Sequence, residues 1–221
     1  MVESVKKSEI SDSAIARLPL YLRALNHFNE LGRDTITSHN LGQYLGIGPA
    51  QIRKDLSHFG RSGKQGTGYP ILPLIHQLNH VLHINSEWRV AVIGTGDLGT
   101  ALANYDGFEH RGFRICWLFD TDTDRIGQQV GGLTVRRMDI LEKILCQNQV
   151  KIAMIAVPAP HAQQVADRVV ACGIKAILNY APISLQVPEH VKVQYIDPII
   201  HLQSMTYYLS HEKATALEVA T

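Results

Sequence analysis

Apolar residues recur at every third or fourth position through the first third of the chain, then gather into short unbroken runs from Val90 onward. The first pattern predicts helices buried along one stripe, and the second predicts strands buried on both faces. Ile15, Leu18, Leu22, Leu25 and Phe28 set a helix over about residues 13–31, closed by Gly32. Thr37 or Ser38 caps a short helix that runs to Leu45, with Leu41 and Leu45 turned inward. Gly46-Ile47-Gly48 makes a turn, and Pro49 opens a third helix at the position where a missing N–H costs nothing. On that helix Ile52, Leu56 and Phe59 share one side, while Gln51, Arg53, Lys54, Ser57 and His58 share the other. Two short helices joined by a glycine turn, the second basic and polar on its outer face, predict a helix-turn-helix. The glycine-rich stretch 60–69 follows, carrying Arg61 and Lys64 and little that is apolar. It reads as the wing of a winged helix, suited to phosphates or a minor groove; a plain connecting loop is the alternative. Residues 73–82 predict a last helix, and Asn85-Ser86 a linker.

From Val90 the apolar runs alternate with helical segments. The strand at 90–93 leads straight into Gly94-Thr95-Gly96-Asp97-Leu98-Gly99, and the strand at 113–119 ends on Asp120. In such a unit the first glycine permits a tight turn and the second lets backbone approach a pyrophosphate. The third packs helix on strand, and the terminal acid holds a ribose diol. Asp120 therefore argues for NAD(H) over its 2′-phosphorylated relative. Asp97 brings a negative charge into the turn, either toward the pyrophosphate or out to solvent. Further strands at 152–157, 176–178 and 191–196, with helices at 140–146 and 162–172, predict a doubly wound parallel sheet. Val157-Pro158 and Asn179-Tyr180 follow strand ends and so should flank a bound nicotinamide. His161 also follows a strand end, as a catalytic histidine or a surface one would, but no partner acid is evident. No catalytic residue and no metal-ligand set is assigned.

Composition narrows the classes without choosing among them. The 221 residues hold 45% hydrophobic residues, enough for one large or two small cores. Residues 1–80 carry nine Lys/Arg against six Asp/Glu, a net +3 that permits nucleic-acid binding without proving it. The polar N-terminus carries no secretory signal, and no apolar run is long enough to span a membrane. Cys116, Cys146 and Cys172 are far apart and form no metal spacing, so they read as reduced thiols of a cytoplasmic protein.

Several stretches in order carry a resemblance. Arg17-Leu-Pro-Leu-Tyr-Leu-Arg23, Gln51-Ile-Arg-Lys-Asp-Leu-Ser57, Gly66-Thr-Gly-Tyr69, the glycine turn, Phe119-Asp120 and Gly173-Ile-Lys-Ala-Ile-Leu-Asn-Tyr-Ala-Pro182 are similar to the Rex family of redox-sensing transcriptional repressors. The likeness covers about residues 13–209. It implies a winged-helix DNA-binding domain over 1–84, a Rossmann NAD(H)-binding domain over 85–197, and a domain-swapped helix and tail over 198–221. It also implies a homodimer that binds a palindromic operator in its apo or NAD+ state and lets go on binding NADH. Arg17 and Asp197 take the places of family residues that couple the domains, and Tyr105 that of a tyrosine near the nicotinamide. Asp97 stands where a basic or amide residue is common. The other expectation is a small NAD-dependent oxidoreductase or a CoA-binding enzyme subunit with a helical prefix.

Overall fold

The computed structural model describes residues 10–59 and 68–218, with backbone alone over 210–218. The chain divides into two units, Met1–Ser86 and Glu87–Thr221.

In the first unit α1 (Asp12–Glu30) opens on Ser11, whose hydroxyl accepts from Ala14 N, and carries Pro19 on its exposed side. Its buried stripe is Ala14, Leu18, Tyr21, Leu22, Leu25 and Phe28. Ile15, expected in that stripe, is 45% exposed, because Ala14 takes the inward place and rotates the face by one residue. Thr37 Oγ1 accepts from Asn40 N and starts α2 (Ser38–Leu45); Gly46, in the left-handed region, ends it. Pro49 is the first residue of α3 (Pro49–Ser57). A Cβ on Gly42 would lie 2.4 Å from Ile47 O, so only glycine allows the turn to fold back this closely on α2. The helix expected over 73–82 is α4 (Ile71–Val81). Two short strands absent from the sequence reading, β1 (Thr35–Ile36) and β2 (Tyr69–Pro70), pair antiparallel. Leu18, Tyr21, Leu25, Leu41, Ile52, Leu56, Leu74 and Leu78 fill the core between the helices.

The second unit is a seven-stranded sheet: β3 (Trp88–Ile93), β4 (Phe113–Asp120), β5 (Gln129–Val130), β6 (Leu133–Arg137), β7 (Ile152–Ile155), β8 (Ala176–Asn179) and β9 (Lys192–Tyr195). Their spatial order is β5-β6-β4-β3-β7-β8-β9, parallel except for the β5–β6 pair. Counted in chain order, the parallel strands run 3-2-1-4-5-6, the doubly wound arrangement of dinucleotide-binding sheets. Alternate residues of β3 serve opposite cores. Ala91 and Ile93 meet α6 (Leu141–Gln147) and α7 (Ala159–Ala171), while Val90 and Val92 face the side of α5 (Asp97–Ala103). β6 leaves no apolar run in the sequence, since Thr134, Arg136 and Arg137 are exposed and only Val135 is buried.

The chain continues in α8 (Pro198–Glu218), within the stretch expected to hold a helix and tail. Asp197 Oδ1 accepts from Ile199 N, so Asp197 and Pro198 start the helix as cap and first residue. Ile199, Ile200, Leu202, Met205, Tyr208 and Leu209 are all more than half exposed. Among the described residues, no helix is long and apolar enough to cross a membrane.

Candidate functional site

A carboxylate organises the helix-turn-helix. Asp55 lies on the inner side of α3 and is 1% exposed. Arg17 of α1 donates to both its oxygens, Nε to Oδ2 at 2.6 Å and Nη2 to Oδ1 at 2.9 Å. Tyr21, one turn further along α1, donates its hydroxyl to Oδ2 at 2.6 Å, and Gln51 donates its amide to Oδ1 at 2.7 Å. Burial alone would raise the Asp55 carboxyl, but the bonds from Arg17, Tyr21 and Gln51 outweigh it and hold Asp55 below the usual carboxylate range. The same contact raises the Arg17 guanidinium, and burial followed by Asp55 raises the Tyr21 phenol. A buried charge is tolerated only when paired and hydrogen-bonded this completely. The result is a clamp between α1 and α3. The one signal of this clamp in the sequence is spacing: Arg17/Tyr21 and Gln51/Asp55 are each four apart and so share helix faces.

Opposite that clamp, α3 exposes Gln51, Arg53, Lys54 and Ser57, with His58 half-buried. Arg53 Nη1 donates to Ser38 Oγ at the start of α2 (3.1 Å), and Ser57 Oγ to Lys54 O (2.7 Å). Gln51 is turned toward Asp55 and Arg53 toward Ser38. Gln77 of α4 donates to Phe59 O and ties down the end of α3. Arg61 and Lys64 lie outside the described residues, as does most of the stretch read as a wing.

In the second unit a pocket of about 400 Å³ opens between the C-terminal ends of β3 and β7, where the strand order reverses. Open α/β sheets bind ligands at this place, and the volume suits a small ligand or part of a larger one. The three glycines of the turn are required for different reasons. A Cβ on Gly94, which has φ +91°, would lie 2.4 Å from Ala156 O; one on Gly99 would lie 1.9 Å from Gly94 O. Packing within the chain therefore demands both. A Cβ on Gly96 would meet nothing within 4 Å, although Gly96 lines the pocket. Packing among the described residues does not require glycine there, so the open space fits a ligand approaching the backbone closely. The residues present thus fit a dinucleotide.

Asp120 ends β4 at the pocket wall. Its Oδ2 accepts from Thr95 N at 2.6 Å and Thr95 Oγ1 at 2.7 Å; its Oδ1 accepts from Thr121 N at 2.7 Å and Asp122 N at 3.0 Å. Burial would raise this carboxyl, but the bonds from Asp122, Thr95 and Thr121 prevail and lower it. Asp120 therefore braces the glycine turn. Beyond it Asp122 pairs with Arg125 (3.2 Å), whose Nη1 donates to Thr95 O at 2.5 Å. At the far wall Arg168 pairs with Glu142 and also donates to Met138 O at 2.6 Å.

Among the residues singled out for the cofactor, Gly94, Gly96, Asp120, Val157 and Pro158 line this pocket. Thr95 is buried behind the turn, and Asp97 and Leu98 are exposed at the start of α5. Asn179 is buried, its side chain bonded to Ala181 N, Ala181 O and Ile183 O, so it shapes the loop after β8. Tyr180 is half-buried, with its phenol raised by burial; Tyr105 is 54% exposed, its ring edge-on to Phe108. Arg17 is held by Asp55 within its own unit, and Asp197 caps α8. The sequence reading missed Thr121, Met138, Gln164, Val165 and Arg168 in the pocket lining, which come together only when strand ends and α7 converge.

Residues 9–57 match the family model described as "Putative DNA-binding protein N-terminus", and residues 85–183 match the "CoA binding domain". A "Redox-sensing transcriptional repressor Rex" of Chloroflexus aggregans is 48% identical over 202 residues, 91% of this chain and 95% of the relative. The crystal structure of RSP, a Rex-family repressor, in complex with β-NAD+ and operator DNA is 34% identical with a TM-score of 0.87. It covers 95% of this chain and 97% of that one. The structure of RSP with β-NADH is 32% identical with a TM-score of 0.85, covering 95% and 99%.

Proposed function

The chain belongs to the Rex family of redox-sensing transcriptional repressors, and we propose that it works as a homodimeric repressor reading the NADH/NAD+ balance. In this reading α3 enters the major groove of a palindromic operator. Arg53, Lys54, Ser57 and His58 reach bases and phosphates, Gln51 lies beside them, and Arg61 and Lys64 extend the contact along the backbone. Gly94, Gly96, Val157 and Pro158 receive the dinucleotide, with Tyr105 and Tyr180 near the nicotinamide and Asn179 holding the loop that carries Tyr180. The exposed apolar residues of α8 support a second copy of this chain as its cover, and Arg17 and Asp197 are the groups that couple the units. Such a regulator acts in the cytoplasm and turns over no substrate.

The observation that carries this reading is a pocket at the strand-order reversal of the sheet in which Gly96 borders space that no described residue fills. NAD+ and NADH differ by one positive charge on the ring, so residues around it can favour one redox form. A ligand shifts a two-state equilibrium only by its differential affinity, and moving it from about 1:99 to 99:1 needs about 5.5 kcal/mol. Two sites in a dimer share that requirement. The two copies of α3 must stand roughly 34 Å apart to enter successive major grooves, so a small change in dimer geometry is enough to lose the operator.

The test is binding of the full chain to a pool of palindromic DNA with NAD+ and with NADH. Retention with NAD+ and release by NADH is the expected outcome. Equal affinity in both, or steady consumption of NADH with added substrates, would overturn the reading.

A further inference from the structure

We propose that Asp122 is the residue that makes this pocket refuse a 2′-phosphorylated dinucleotide, and that Arg125 is the cation it neutralises; this rests on the dinucleotide reading given above. The acid at the end of the second strand is the usual candidate for that role. Here Asp120 is already occupied. A carboxylate offers about four acceptor positions, and Asp120 uses them on Thr95 N, Thr95 Oγ1, Thr121 N and Asp122 N. An adenosine ribose would have to displace a bond that braces the glycine turn.

Asp122 is the other carboxylate in the pocket lining. Its Oδ1 accepts from Asp124 N at 2.9 Å and its Oδ2 from Arg125 Nε at 3.2 Å, which leaves about two acceptor positions for a ribose diol. Its side chain is 47% exposed, so the remaining acceptor positions are open to a ligand. Arg125 is anchored on both sides, by Asp122 and by Thr95 O of the glycine turn. A guanidinium with N–H groups to spare and a fixed position beside a ribose is what binds a phosphate in bidentate fashion. Asp122 is the carboxylate paired with it. The second arginine of the pocket, Arg168, is bound twice to Glu142 and once to Met138 O, so it is not available for the same task.

The experiment uses the full chain and compares NADH with NADPH by calorimetry for the wild type, Asp122→Ser, Asp122→Asn and the double variant Asp122→Ser/Arg125→Ala. The wild type should bind NADH and discriminate against NADPH. Both single variants should gain about tenfold or more in NADPH affinity, the size of one well-placed charge-assisted contact, while NADH weakens severalfold. The double variant should lose the gain. NADPH affinity unchanged in both single variants that still bind NADH overturns the proposal, as does a gain that survives removal of Arg125. A wild type that binds neither dinucleotide overturns the pocket reading itself, a result distinct from the other two.

Discussion

Each unit is organised by a carboxylate with its hydrogen-bonding capacity filled, and the two are filled in opposite ways. Asp55 is held by the side chains of Arg17, Tyr21 and Gln51, drawn from two helices. Asp120 is held mainly by backbone N–H groups, with the Thr95 hydroxyl as the one side-chain donor. A clamp of side chains depends on three residue identities and fails when one is lost. A clamp of backbone donors depends on a turn conformation, which glycines secure. The first suits a helix that must be oriented against another helix; the second suits a turn that must stay open to a ligand.

The sharpest way to break the comparison is Asp55→Ala. It removes the carboxylate that Arg17, Tyr21 and Gln51 share, leaves the buried Tyr21 hydroxyl unpaired and should cost about 3 kcal/mol, read by urea denaturation, with operator binding lost. The pH dependence follows from the lowered Asp55 carboxyl. Its stabilising contribution is fully present above the ordinary carboxylate value of about 3.9 and is lost as pH falls through the depressed native value. Acid titration should therefore unfold the first unit at lower pH than a free carboxylate titrates, and Asp55→Asn should remove that step.

The glycine turn gives the next largest effect, and a contrast within itself. Gly99→Ala drives a Cβ into Gly94 O and should cost about 1–3 kcal/mol, as overpacking does, along with dinucleotide binding. Gly96→Ala meets no protein atom, so stability should stay within about 0.5 kcal/mol while calorimetry shows weaker NADH binding. Equal loss of stability in the two variants would contradict the distinct reasons assigned to them.

Deleting single hydrogen bonds separates the two clamps most finely. Tyr21→Phe removes one of three side-chain partners of a charge and should cost about 1.5–3 kcal/mol. Thr95→Val removes a hydroxyl whose own backbone N–H still donates to the same oxygen, and should cost about 1 kcal/mol. A Thr95→Val variant less stable than Tyr21→Phe in thermal melts would show that the second clamp is not carried by backbone.

What the sequence made legible was periodic or local. The stripe of α1, the turn at residues 46–48, the apolar run of β3 and the glycine turn each follow from spacing within a few residues, which fixes the face or the dihedral angles. Ile15 shows the limit: the helix was plain, but whether Ala14 or Ile15 faced the core was settled by its neighbours. β6 shows another, since a strand with one buried residue leaves no hydrophobic signature. The 3-2-1-4-5-6 strand order that places the ends of β3 and β7 together is not written at any position along the chain.

By itself, the sequence determined the helix-turn-helix, the doubly wound sheet and the family, because local periodicity and ordered motifs survive without coordinates. Only the tertiary structure decided that Asp55 is the buried centre of the first unit, that Asp120 braces a turn, and that Asp122 and Arg125 stand together at the pocket. The physical reason is that a charge's role depends on which donors reach it, and those donors come from residues up to thirty-eight positions away.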